Sequence, residues 1–383
     1  MTIPMTGRYG RLNRDYFGCN AWTSGQNYPS MFCSETLPML RQLPLFLVRS
    51  FGRSRSVTFL RHRASLGDML MVTALVRGLK KTRPDIHIAI VSRRPELFIG
   101  NPHVDENRGW HLWRAGFTTG ARYSAKDLAG DLHAVEIQWR SLWRAMADTH
   151  FPGVNDAAPP ALDGVHPEIF LSAAERDAAR VALGIGDDPR QPRKPIVFLS
   201  SGGKLKPTHN REWGIENYQA VADALSPYAQ LYWISGEEPL SAQDQPLPDL
   251  RMVAVRHAAA LFALGDAVLV QEGGLMHVAR AVNAPCVSIY GGSLLPRQTG
   301  YAEQTNLSSQ PECSPCIHLV KNCGHLKCMV DITPRRVLAA VATHLRERCG
   351  FELPQEAFLR TPETWTPPRF VDLNLLKQEL ALN

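Results

Sequence analysis

The chain has 383 residues, 44% of them hydrophobic and 20% charged, with 42 Lys and Arg against 36 Asp and Glu for a formal net charge of +6. That balance suits a globular protein with room for two cores of roughly 150 residues each, and it favours partners bearing phosphates or carboxylates. It excludes a nucleic-acid binder built on interleaved aromatic and basic runs, and no apolar stretch nears the ~20 residues of a membrane-spanning helix.

Residues 1–55 are rich in Gly, Pro, Ser and Asn with little periodicity, which predicts an extension draped over a domain. Its polar start lacks the apolar core of a secretory signal, so the chain is expected in the cytoplasm. Within the extension, LPMLRQLPLFLVRSFGRSR (37–55) mixes apolar residues with Arg41, Arg49, Arg53 and Arg55. It fits either a peripheral contact with the inner membrane or a helix packed on the body.

Order begins with a short strand, SVTFL (56–60), followed by the loop RHRASLG and a helix in which Leu70, Ala74, Leu75 and Leu79 recur at helical spacing. A second strand, IHIAIVS (86–92), completes a βαβ unit and predicts a parallel sheet. LHAVEIQW (132–139) reads as a further strand, and LSAAERDAARVALGI (171–185) as a helix with Ser172 and Glu175 in a capping box. The polar, Pro-rich GDDPRQPRKP (186–195) reads as a linker. It divides an N-terminal domain, 56–185, from a C-terminal domain, 186–350, with a helical tail over 351–383.

A second alternation follows: strand 196–200, helix 215–225, strand 229–235, helix 258–264, strand 267–271, helix 275–282 and strand 286–291. Thr333 caps a helix opened by Pro334, and 373–382 is a further candidate helix. Doubly wound sheets bind ligands beyond the carboxyl ends of their strands. Several strand ends carry residues suited to that: SLGD (65–68), SSGGKLKPTHNREW (200–213), SGEE (235–238) and QEGGLMH (271–277).

Asp68 reads both as a helix-start carboxylate and as chemistry. Gly273 and Gly274 open a helix whose free N–H groups suit an anion such as a diphosphate. Lys204, Lys206 and Arg211 suit either a departing phosphate or a solvated basic loop. Glu237 or Glu238 suits ribose hydroxyls or an exposed turn. Cys313, Cys316, Cys323 and Cys328, spaced C-x2-C-x6-C-x4-C, suit a structural zinc or iron, with free thiols or disulfides as the alternatives.

RASLGDMLMVTALVRGLKKTRPDIHIAIV, NPHVDE, VQEGGLMHVARAVNAPCVSIYGG and CSPCIHLVKNCGHLKCMVDITPRRV occur in an order that resembles the heptosyltransferases, the family 9 glycosyltransferases of the lipopolysaccharide inner core. The resemblance runs from about 56 to 345. It implies an α/β GT-B fold, two Rossmann-like doubly wound domains facing across a cleft, that transfers a heptose from an ADP-sugar to a sugar hydroxyl with inversion and without a catalytic cofactor.

Carried over by motif, Asp68 is the catalytic base and Arg211 the cation at the leaving group. Glu272, Gly273, Gly274, Leu275 and His277 lie in the stretch that matches the family and are expected to hold the nucleotide sugar, joined from the other strand ends by Ser201, Lys206 and Glu237. Apart from the motifs, the basic face of Arg61, Arg63, Arg93 and Arg94 suits an anionic saccharide or lipid-linked acceptor, or is simply solvated. Many members read Asp-Ser-Gly or Asp-Thr-Gly where this chain has Glu272-Gly273-Gly274, so a longer carboxylate stands there and a hydroxyl donor is missing. The alternatives keep the fold and change the acceptor to a protein or a small metabolite, or keep nucleotide-sugar binding without catalysis.

Overall fold

The computed structural model describes residues 55–61, 65–108, 117–119, 128, 130–156, 158–186, 193–201, 211–234, 240–242, 245–248, 250, 253–316, 323–369 and 371–381. The readings on residues 1–54, Arg63, Lys204, Lys206, Glu237 and Glu238 lie outside them, and Arg61 is described in its backbone alone.

The first half is built on β1 (Ser56–Arg61), α1 (Leu66–Thr82), β2 (His87–Ser92), β3 (Glu106–Arg108) and β4 (Phe117–Thr119). The strands form a parallel sheet in the order β3-β2-β1-β4. At the start of α1, Ser65 Oγ accepts from the backbone N–H of Asp68, while the Asp68 carboxylate accepts from the backbone N–H and hydroxyl of Ser65. This reciprocal box satisfies helix-end donors that otherwise have no partner. Lys80 and Lys81 complement the dipole in the last turn.

From Met69 to Leu79 every residue of α1 is buried. A helix buried on every face, Thr73 and Arg77 included, is covered on all sides, and α1 packs on both α2 (Ala134–Asp148) and a helix of the second half. Each fully buried Leu of α1 contributes about 1.5–3 kcal/mol, against about 1 kcal/mol for the cap. Packing, more than the cap, holds the helix in place.

The strand expected over 132–139 is instead the start of α2. His133 caps it through Nδ1, and Glu136 closes the box. Val135, Trp139, Leu142, Trp143 and Met146 are the buried side of a fifteen-residue helix. Its first turns alternate apolar and polar residues over a window too short to separate the two periods.

After α3 (Ala173–Ala182), whose Ser172–Glu175 capping box is as expected, the second half runs through β5 (Ile196–Ser200), α4 (Ile215–Leu225), β6 (Gln230–Trp233), a two-strand ribbon of β7 (Ser241–Ala242) and β8 (Gln245–Pro246), α5 (Val255–Leu264), β9 (Ala267–Gln271), α6 (Gly274–Ala281), β10 (Cys286–Ile289), the short α7 (Pro296–Thr299) and β11 (Thr305–Leu307). Its parallel sheet is ordered β11-β10-β9-β5-β6. With the ribbon set aside, this is the doubly wound order 2-1-3-4-5, whose strand order reverses between β5 and β9. Ligands bind at that reversal, beyond the carboxyl ends of the strands.

Every residue of β5 and β9 is buried, as expected for parallel strands covered on both faces. Trp213, Tyr218 and Trp233 form a T-shaped aromatic stack on one side of the sheet. The chain finishes with α8 (Pro334–Cys349), capped by Thr333, then α9 (Gln355–Arg360) and α10 (Leu373–Ala381). Lys327 pins α10 through Glu379 at 2.9 Å.

The halves are locked together by Arg256 of α5. Its guanidinium donates twice to Glu175 (2.6 and 2.7 Å), and also to the carbonyls of Phe170 and Glu96. This partner holds the Glu175 carboxyl at about 2, well below the usual carboxylate range. Ile169 N–H donates to Ala281 O, and the Gln298 amide donates to Leu128 O. Segments on both sides of the expected linker therefore share one apolar core.

Candidate active site

At the strand-order reversal, β5 delivers the buried Ser200 and Ser201, and β9 delivers Gln271, Glu272 and Gly273. Gly273 has φ +153°, a conformation that favours glycine, and the space beside its Cα is open. Helix α6 starts on the next residue with no side-chain cap. Its first N–H groups and the positive end of its dipole are thus available to an anion. Leu275, the second residue of that helix, is half-buried beside Gly274.

The N-terminus of α1 arrives at the same point from the first half. A Cβ on Gly274 would lie 3.0 Å from Leu66, and one on Gly67 only 2.6 Å from the His277 ring. Two glycines therefore permit two helix starts to abut. Leu66 covers Gly274, which leaves the open approach on the Gly273 side. Positive dipole ends facing each other repel, so the junction is favourable only where anions sit beside it. Asp68 lies on one side and Glu272 on the other.

Arg211 and Glu272, which the sequence suggests as leaving-group cation and donor-binding carboxylate, form one ion pair at 2.8 Å. Their side chains are only 7% and 5% exposed. The Gln271 side-chain amide, one residue from Glu272, donates to the carbonyl of Arg211 and fixes the loop. A buried pair is weak as a source of stability, because desolvation consumes most of the attraction. Its presence at the sheet's ligand edge suits a charge store for an anionic ligand.

His277, in the second turn of α6, is fully buried, with Nδ1 2.6 Å from the Tyr301 hydroxyl. Burial, helped by the nearby His133, pushes its pKa down to about 3, while the charge of Asp68 pulls the other way. His277 is therefore a neutral imidazole near neutral pH. Behind the phenol, the ring of His133 lies 5.6 Å from that of Tyr301, and burial brings its pKa to about 4. Neither Tyr301 nor His133 stood out in the sequence. Tyr301 belongs to no motif, and His133 fell within the expected strand.

At the edge of the first sheet, Arg61 ends β1 and Arg93 and Arg94 follow β2, its neighbour in the parallel sheet. They share the carboxyl edge with Asp68. Arg93 is exposed, and Arg94 is half-buried, 3.7 Å from Glu96.

The cysteines gather behind the loop after β10. Gly292 N–H donates to Cys328 Sγ (3.1 Å), and Cys316 Sγ donates to Gly292 O (3.0 Å). Burial raises the Cys328 thiol to about 12, and the charges of Cys313, Cys316 and Cys323 act on it in the same direction. Among the described residues no three His, Cys, Asp or Glu side chains are arranged to hold a metal ion.

Two parallel α/β sheets meet at their ligand edges, one bringing Asp68 and the other the Arg211–Glu272 pair beside an uncapped helix start, and this two-sheet architecture is that of the GT-B fold. The chain belongs to glycosyltransferase family 9 (heptosyltransferase), whose sequence profile matches residues 133–327. Among solved structures it is similar to the ADP-heptose lipopolysaccharide heptosyltransferase II of E. coli, with TM-score 0.53 and 18% identity over 76% of this chain and 98% of that one. A family 9 glycosyltransferase of Veillonella parvula gives TM-score 0.53 and 18% identity, covering 77% and 98%. The iron-containing dodecameric glycosyltransferase TibC of enterotoxigenic E. coli gives TM-score 0.53 and 15% identity, covering 76% of each chain. A search of curated protein sequences finds no match.

Proposed function

We propose that this enzyme transfers a heptose, or a closely related sugar, from an ADP-sugar to a hydroxyl of a lipopolysaccharide-core-type acceptor, with inversion, on the cytoplasmic side of a membrane surface. The observation that carries the reading is the meeting of Asp68 with the Gly273–Gly274 helix start and the Arg211–Glu272 pair at one junction between two sheets. The donor class is supported by the similar fold of TibC, solved in complex with ADP-D-β-D-heptose at TM-score 0.52.

In a single displacement the acceptor hydroxyl attacks the anomeric carbon as the bond to ADP breaks. Asp68 takes the hydroxyl proton, so that the nucleophile does not build up positive charge. The diphosphate leaves as an anion toward Gly273, where uncapped amides and the guanidinium of Arg211 stabilise the developing charge. Glu272 holds that guanidinium in place and shares its charge until the phosphate arrives. Ser201, Leu275 and His277 complete the donor pocket in this reading, and Arg93 and Arg94 serve the anionic acceptor; the roles proposed for Lys206, Glu237, Arg61 and Arg63 rest on the sequence alone. A structural zinc or iron at Cys313, Cys316, Cys323 and Cys328 is proposed from their spacing, with Cys316 and Cys328 both beside Gly292; the four thiols as they stand are not arranged around a metal position, so binding would have to draw them together. It would brace the loop after β10 and take no part in the displacement.

The test is mass-spectrometric identification of products from ADP-, UDP- and GDP-sugars offered with core-oligosaccharide acceptors. A heptosylated oligosaccharide formed from the ADP donor alone is expected. Transfer only to protein or small-metabolite acceptors would move the acceptor class, and donor binding without any product would leave a non-catalytic nucleotide-sugar-binding protein.

A further inference from the structure

We infer that Tyr301 is a positioning residue for the transfer: its hydroxyl donates to Nδ1 of His277 and so presents the Nε2–H of that imidazole to the start of α1, beside Asp68. The inference rests on the reading of Asp68 as the base.

A neutral imidazole carries one N–H, and the partner of one nitrogen decides which nitrogen holds it. His277 Nδ1 and the Tyr301 oxygen are 2.6 Å apart, so one of them donates. The other edge of the ring settles which. Cδ2 and Nε2 lie against Gly67, the residue before Asp68, and the negative charge of Asp68 acts on this ring. A proton on Nε2 faces that charge favourably, whereas a bare lone pair there would be repelled by it. With the proton on Nε2, Nδ1 is an acceptor and the phenol must donate.

Tyr301 is itself held in place. It is 2% exposed, its ring lies edge-on to His277 (5.5 Å, 82°) and tilted against His133 (5.6 Å), and its carbonyl accepts from the Asn306 side chain at 2.9 Å. His133 caps α2 of the first half, Tyr301 and His277 belong to the second, and Gly67 returns to the first. The row of rings therefore crosses the junction twice, and the orientation of the His277 N–H depends on both halves being seated.

The test is imidazole nitrogen NMR on the full chain labelled at histidine, with the His277 signals assigned by their loss in His277→Gln, alongside steady-state transfer from ADP-D-β-D-heptose. In the wild type, His277 is expected neutral at pH 7 with its proton on Nε2 and an Nδ1 resonance shifted by a donor. In Tyr301→Phe that resonance moves to the position of an imine nitrogen without a donor, kcat falls about tenfold, and KM for the donor stays within about twofold. If Tyr301→Phe does not fold, wild-type protein carrying 3-fluorotyrosine supplies the readout, and its Nδ1 resonance should shift with the more acidic phenol. A wild-type proton on Nδ1, an Nδ1 resonance unmoved by either change, or a loss carried wholly by KM overturns the inference. Absence of transfer by the wild type contradicts the proposed function alone, because the tautomer measurement still decides the role of Tyr301.

Discussion

Asp68→Asn is expected to lower turnover by about 10²–10⁴-fold, the span associated with a positioned general base, while leaving the melting temperature almost unchanged. The two roles of this residue separate in that variant. The amide oxygen of Asn still accepts from Ser65, as the carboxylate does now at 2.9 Å from the hydroxyl, so the box survives in part. What remains of the cap is minor beside the burial of Leu70, Leu75 and Leu79, each fully inside. Ser65→Ala gives the opposite pattern, losing about 1 kcal/mol of cap but retaining the base. Release of ADP measured beside thermal unfolding in the two variants checks this. Equal damage to both readouts in Asp68→Asn would leave Asp68 a helix-start residue and nothing more.

The second large effect falls on stability and donor binding together. Arg211→Ala strands the Glu272 carboxylate at 5% exposure, and removal of one partner from a buried ion pair costs about 3–5 kcal/mol. Replacing both, Arg211→Met with Glu272→Leu, removes the uncompensated charge and should recover most of that loss. ADP binding should not recover, since in the proposed site the guanidinium is the group that meets the diphosphate. Denaturant unfolding and calorimetric titration with ADP read the two quantities separately. A double variant that binds ADP like the wild type would make the pair purely structural.

Local signals made much of this fold legible. The capping boxes at Ser172 and the Thr333–Pro334 start are short-range chemistry, and the buried strands of the second half are continuous apolar runs bounded by turns, so both can be read a few residues at a time. The segment beginning at His133 could not be read in this way, because its helical period emerges only when Leu142, Trp143 and Met146 are counted with Val135 and Trp139. The three-residue strands β3 and β4 carry too little pattern to register and exist through pairing with β2 and β1.

The same distinction runs through the site. Asp68, Gly273 and Gly274 sit next to a strand end or a helix start, and their neighbours in sequence announce them. The Arg211–Glu272 pair joins residues 61 positions apart, and only the seating of β5 beside β9 brings them together. His133 and Tyr301 become relevant through contacts between the halves, which no window of sequence contains. The Gly67 and Gly274 contacts have the same origin, and there the small residue is required by a helix from elsewhere in the chain.

The most direct measurement is a crystal structure of Asp68→Asn grown with ADP-D-β-D-heptose. The diphosphate should lie against the Gly273 turn, within hydrogen-bond reach of Arg211, with the anomeric carbon facing residue 68 across the junction. Density for the nucleotide anywhere else, with Leu66 still seated on Gly274 and the Arg211–Glu272 pair undisturbed, would contradict a donor site at the meeting of the two helix starts.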